Sequence, residues 1–174
     1  MFDRERARRI AQDAVDPRVT IDDSLTRELQ QGWYFGCRSL GGPLVGSNGL
    51  IVNKSTGKVL HLGSAFPVER DLELYDKGYQ FERCDLVVFE VLNLDTTLAI
   101  LLELGLTVVE PTYEHGSVWR IPRKFTRDEL AQRLRSLPCV FGDVQLYFRV
   151  EALERARSIG AFRFDVLEFT GAGQ

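Results

Sequence analysis

Leu50-Ile51-Val52-Asn53-Lys54-Ser55-Thr56-Gly57-Lys58-Val59-Leu60-His61-Leu62 is the stretch whose reading decides the fold. Two short apolar runs flank a polar segment, and Gly57 can take the positive φ needed where two strands reverse. The stretch predicts a β-hairpin. Immediately after it, Pro67 suits the first turn of a helix, Val68, Leu72 and Tyr75 make an apolar stripe, and Gly78 is placed to end it. Glu69, Asp71, Glu73 and Asp76 are then read onto the remaining, solvated faces.

Upstream, Trp33, Phe35 and Cys37 alternate with Tyr34, Gly36 and Arg38, which is the period of a strand with two unlike faces. Ala7, Ile10, Ala11, Ala14 and Val15 recur at helical spacing ahead of Asp16-Pro17 and predict an amphipathic opening helix. The segment between them reads as a polar connection. Gly41-Gly42-Pro43-Leu44-Val45-Gly46-Ser47-Asn48-Gly49 lacks the Lys-Ser/Thr ending of a phosphate loop and leads into a strand rather than a helix, so it reads as a loop with tight turns.

Downstream, Leu86-Val87-Val88-Phe89 is a continuous apolar run suited to a central strand. Asp95 is placed to cap a helix carrying Leu98, Leu101 and Leu102, with Gly105 closing it. A short strand, Leu106 to Val109, precedes a turn at Tyr113-Glu114-His115-Gly116 and a strand from Ser117 to Ile121. Thr126 and Glu129 stand in capping-box register before Leu130, Leu134 and Leu137. Cys139-Val140-Phe141 and Val144 to Phe148 predict a hairpin about Gly142-Asp143; Ala152, Ala156 and Ile159 mark a last helix, and Phe162, Phe164 and Val166 a last strand. The pattern implies an α+β fold of mixed or antiparallel sheets with helices packed on one face. Two tightly packed units are expected, residues 1–82 and 83–174, since no Gly/Ser- or Pro-rich linker separates them.

The 174 residues include 22 basic and 25 acidic side chains, a net charge of −3. Residues 1 to 83 hold twelve of each sign, and residues 84 to 174 hold ten basic against thirteen acidic. Neither half has the basic excess that nucleic acid demands, and a basic or amphiphilic partner is mildly favoured. No apolar run is long enough to cross a membrane, and the charged opening residues Met1 to Arg9 precede no signal-like segment, so a cytoplasmic protein is expected.

Chemistry is sparse. Of two histidines, His61 sits between leucines on a predicted strand, where a hydrogen-bonded structural role is expected, and His115 lies in a turn. Cys37, Cys84 and Cys139 are far apart in sequence and set in apolar stretches, the pattern of buried free thiols. The spacing of cysteine and histidine offers no metal site, no cofactor is implied, and no catalytic residue is assigned. A surface remains: Glu69, Asp71, Glu73, Tyr75 and Asp76 combine acidic and aromatic groups of the kind that anchor a protein partner.

From Trp33 to Tyr75 the chain resembles YrhB-like immunity proteins of bacterial polymorphic toxin systems. The resemblance is carried by Gly32-Trp33-Tyr34-Phe35, by Gly46-Ser47-Asn48-Gly49, by the strand-turn-strand from Leu50 to Val59, by Gly63-Ser64-Ala65-Phe66-Pro67, and by the acidic helix ending in Leu74-Tyr75. Asn53 and Ser64 stand where that pattern has aspartate and threonine. Trp33, Gly49, Gly57 and Gly63 carry over as fold markers. The resemblance implies a small α+β domain that binds and neutralises a cognate secreted toxin. Residues 83–174 have no counterpart in it. The alternative is a chaperone-like or regulatory binding module, and a third reading is a small hydrolase or transferase using one of the cysteines with a distant histidine.

Overall fold

The computed structural model describes residues 1–42 and 46–171. The described residues form an α+β fold in which all strand pairing is antiparallel, and the chain divides into two compact units, Met1–Gln80 and Phe81–Gln174. Pro43, Leu44 and Val45, the middle of the glycine-bearing loop, lie outside the described residues.

The first unit is a four-stranded meander, β1 (Val19–Glu28), β2 (Gly32–Ser39), β3 (Ser47–Asn53) and β4 (Val59–Gly63), paired in chain order. Strand alternation sorts its core into two clusters. Phe35, Leu50 and Val52 meet Ala7 and Ala11 of α1 (Arg4–Ala14), whose small side chains let the helix lie close to the sheet. Tyr34 and Ile51 point the other way and meet Leu72 and Tyr75 of α2 (Val68–Asp76). The two helices therefore cover opposite faces of this sheet.

The predicted hairpin is present, with Val52 opposite Val59 and Ile51 opposite Leu60. Its turn is held by Asn53, whose Oδ1 accepts from the backbone N–H groups of Ser55 and Thr56, and whose backbone carbonyl accepts from Gly57. Gly49 faces a tighter constraint. At φ +103° a Cβ there would lie 2.3 Å from the Phe35 carbonyl oxygen, so only glycine fits where β3 crosses β2.

The supposed polar connection before Trp33 is in fact β1. Of its ten residues only Ile21 is buried, because the strand lies at a sheet edge and its register slips between Asp22 and Arg27. The irregularity leaves Asp22 to accept from Ser24 and Arg38 rather than to pack.

The second unit builds a three-stranded sheet with β5 (Cys84–Val91) between β8 (Cys139–Val144) and β9 (Phe162–Glu168). Leu86 and Val88 of the central strand are fully buried. Three helices accompany the sheet: α3 (Leu94–Leu104), α4 (Arg127–Arg133) and α5 (Val150–Ile159). Asn93 rather than Asp95 caps α3, accepting from Thr96 N–H, while Asp95 sits in the first turn and pairs with Arg127. Thr126 and Glu129 form the predicted capping box at the start of α4. Ile159, expected on the apolar stripe of α5, is exposed; Val150, Ala152, Leu153 and Ala156 are what that helix buries.

Gly142 and Asp143 do not turn the chain. Phe141 pairs with Leu86 and Val144 with Cys84, so two residues on β8 oppose Asp85 alone, which is a β-bulge. A two-residue hairpin turn of either usual type needs positive φ at its first position, and here only the second residue, Asp143, has it, at 58°. The Asp85 carboxylate accepts from Asp143 N–H and steadies the bulge.

The remaining pair, β6 (Thr107–Glu114) and β7 (Ser117–Lys124), makes a separate two-stranded ribbon longer than the short strands predicted. Glu114 opposite Ser117 leaves His115 and Gly116 as a two-residue turn, and both have positive φ, 51° and 81°, as a type I′ turn requires. No helix among the described residues is long and apolar enough to cross a membrane.

Candidate protein-binding surfaces

The acidic helix does not form the surface its composition suggested. Asp71 is only 6% exposed and Tyr75 only 1%, so neither is available to a partner. Asp71 takes an ion pair from its neighbour Arg70 at 2.9 Å, and the Arg70 guanidinium lies 3.9 Å from the centre of the Phe66 ring. Tyr75 fills the second core cluster, and its hydroxyl accepts from Asn53 Nδ2 at 3.1 Å. The same Asn53 nitrogen donates to Gln80 Oε1, and Gln80 Nε2 donates to Gln31. Burial pushes the Tyr75 phenol up, opposed by the hydrogen bond from Asn53.

Asp76 is also spent internally, since its two oxygens accept from the backbone N–H groups of Gln30 and Gln31 and hold the β1–β2 turn against α2. Glu69 is exposed and pairs with Arg27 at 3.2 Å, an exposed bridge of little energetic weight. Glu73 is exposed too. Of the five residues read as a partner surface, therefore, two, Glu69 and Glu73, are exposed.

The fold markers occupy structural positions. Trp33 packs against the α1 cluster and its Nε1 donates to the Phe2 carbonyl at 3.2 Å. Lys54, from the polar hairpin turn, is 8% exposed; its Nζ donates to Glu28 and to the Leu29 carbonyl and lies 5.0 Å from the centre of the Trp33 ring. Gly57 sits in the hairpin turn, and Gly63 closes β4 opposite Ser47.

None of the three thiols is poised as a nucleophile. Burial raises Cys37 and Cys139, and it pushes Cys84 up to about 12, where the Asp85 charge adds to the effect. A reactive cysteine needs the reverse shift, so that the thiolate is populated near neutral pH. The Cys84 thiol donates instead to the Val144 carbonyl at 3.4 Å. His61 is exposed on the edge strand β4 rather than tied into the core. Among the described residues no group of three or more His, Cys, Asp or Glu side chains could hold a metal ion.

The ribbon presents a different surface. Val109, Tyr113, Val118, Trp119 and Ile121 are each between 54% and 73% exposed. Directly paired residues share a face. Val109 with Pro122, Pro111 with Arg120 and Tyr113 with Val118 lie on one side; Val108 with Arg123, Glu110 with Ile121 and Thr112 with Trp119 lie on the other. The first face is exposed throughout, whereas on the second Val108, Thr112 and Arg123 are half-buried. On the second face, Arg123 binds Glu110 and Glu129 together, reaching Glu129 at 2.6 Å, and so ties the ribbon to the start of α4. These partners raise the Arg123 guanidinium still further and hold the Glu129 carboxyl down at about 2, through the Arg123 bond first and the Thr126 bonds next.

Large apolar side chains exposed at this density on a separate two-stranded ribbon form a candidate interaction surface. The sequence pattern places Tyr113 only in the turn before Ser117, and Val109, Val118, Trp119 and Ile121 only within short strands. The available signal was the loss of alternation: Val108 and Val109 are adjacent, and apolar residues occupy both parities of both strands, whereas a half-buried strand alternates. No protein-family model, no curated protein and no solved structure matches the chain.

Proposed function

We propose that this chain is a protein-binding protein without a reaction of its own, acting as an immunity protein that holds and neutralises a cognate bacterial toxin. The exposed ribbon carries the binding part of this reading, because Trp, Tyr and Arg side chains held on a rigid element are the usual anchors of protein interfaces. The raised thiols and the dispersed acids argue against acid-base or nucleophilic chemistry. The toxin-directed part is supported by the run of strand and turn residues from Trp33 to Tyr75.

Growth rescue is the direct experiment. Cells expressing the protein encoded beside this gene should die, and cells also expressing the present chain should survive with the two proteins co-purifying as a defined complex. Absence of rescue, together with no binding to any adjacent gene product, would sink the immunity reading. A chaperone-like module would instead retain several unrelated clients at low affinity.

A further inference from the structure

The two faces of the ribbon differ in how their charge is used. On the second face the guanidinium of Arg123 is consumed by Glu110 and Glu129. On the first face, Arg120 and Lys124 stand among Val109, Pro111, Tyr113, Val118 and Pro122, and among the described residues neither has a carboxylate within ion-pair distance. Both are exposed. The ribbon thus carries two unspent positive charges inside an apolar strip, in the half of the chain that is acidic as a whole.

The edges of the ribbon narrow the mode of contact. In a hairpin closed by a two-residue turn, the pair flanking the turn, Glu114 and Ser117, is hydrogen-bonded, and the pairing alternates from there. Pro111 and Pro122 then fall in the non-hydrogen-bonded pairs with Arg120 and Val109, where backbone groups point outward. Each free edge therefore has a proline in mid-strand, which removes a donor and discourages strand addition by another chain. A partner is received through side chains on a face. Two copies stacked through this face would bring no carboxylate to Arg120 or Lys124, since the face itself carries none, which gives self-association here no charge complementarity.

We propose that the face bearing Val109, Tyr113, Val118, Arg120 and Lys124 docks a protein partner that presents carboxylates among apolar side chains. This rests on the protein-binding reading above and adds the chemistry of the partner. Apolar contact supplies the area, and the two cations select for acidic character and steer encounter. The sign is the reverse of what the acidic residues of α2 suggested.

The test uses the full chain and a random peptide library displayed on phage, a probe that does not depend on any toxin. Selected peptides should be enriched in Asp or Glu together with aromatic or aliphatic residues. The double variant Arg120→Glu, Lys124→Glu should weaken their binding by about tenfold or more, and Lys in place of the peptide acids should restore binding to that variant. Glu69→Lys should leave it unchanged. Both charged residues are exposed and unpaired, so the double variant should keep the parent thermal midpoint. Peptides rich in Lys or Arg, peptides indifferent to the charge reversal, or no enrichment at all would overturn the proposal. So would ribbon-dependent self-association lost in Tyr113→Ser, or sedimentation with anionic phospholipid vesicles. Growth rescue with an intact phenotype for the double variant would overturn this face while leaving the immunity reading standing.

Discussion

The first unit and the ribbon of the second use the same side-chain types to opposite ends. In the first unit Tyr75, Trp33 and Lys54 are drawn inward: the tyrosine bonds to Asn53, the indole donates to Phe2, and the ammonium ends on Glu28 and Leu29. On the ribbon, Tyr113, Trp119 and Lys124 are exposed. The difference teaches that aromatic and charged composition says little about a binding surface until backbone placement is known. Polar groups buried with partners fix one structure, and the same groups left in solvent beside apolar neighbours remain available to another molecule.

Paired substitutions put numbers on that contrast, the largest at the two tyrosines. Tyr75→Ala should cost about 3–5 kcal/mol, since it empties a fully packed site and removes one of the two acceptors of Asn53 Nδ2. Tyr113→Ala should change stability by no more than about 0.5 kcal/mol, because an exposed side chain leaves no cavity. Urea midpoints of the two variants measure both, and similar losses would break the distinction.

A smaller pair concerns backbone. Gly49→Ala should cost about 3 kcal/mol, because the new methyl would press on the Phe35 carbonyl and the ring of Tyr34 as well as adopt an unfavourable φ. Gly116→Ala meets nothing within 4 Å, so only the left-handed conformation is penalised, by about 1–2 kcal/mol. Thermal melts of the two variants against the parent would show the gap, and a Gly116 variant as damaged as the Gly49 one would mean that the ribbon turn is packed rather than free.

Acid should act on both units through specific carboxylates. Asp22 is held down at about 2 by Ser24 and Arg38, and Glu129 at about 2 by Arg123 and Thr126, against ordinary values of 3.8 and 4.5. A folded-state value below the unfolded one contributes stability above the unfolded value and loses it as pH falls toward the folded value. Both contributions are therefore complete above about pH 5 and fade between there and pH 2. Trp119 emission should follow the loosening of the ribbon base in that window, and Glu129→Gln should flatten that response. An unchanged acid profile in Glu129→Gln would separate the ribbon from its capping box.

How much of this was legible in the sequence depended on how local the determining interaction is. The capping box of Thr126 and Glu129 lies within three residues, and the hairpin from Leu50 to Leu62 is closed by its own turn, so both are written in adjacent residues. The role of Asp71 was half legible. It lies beside Leu72 and one turn from Val68 and Tyr75, on the stripe that packs, yet its charge reads as a solvent position unless periodicity is given priority. Strand β1 was hidden because an edge strand with one buried side chain has no apolar pattern to show. The bulge at Gly142 and Asp143 was misread as a turn because both features favour the same residues. The exposure of the ribbon was beyond local reading, since valine and tyrosine in strands ordinarily imply a sheet face covered by something else.

The smallest effect resolves the two faces of the ribbon. The chain has one tryptophan in each region, half-buried Trp33 and exposed Trp119, so Trp33→Phe and Trp119→Phe each leave a single reporter. Acrylamide, which is neutral and so blind to the nearby cations, should quench Trp119 more steeply than Trp33. Trp119 pairs with Thr112 on the face opposite Arg120 and Lys124. A partner confined to the cationic face should therefore leave the quenching slope of Trp119 nearly unchanged while protecting Tyr113 from nitration. Strong protection of Trp119 would mean that the partner grips the ribbon from both sides, in which case the apolar residues of the second face, Trp119 and Ile121, belong to the interface as much as Val109 and Val118 do.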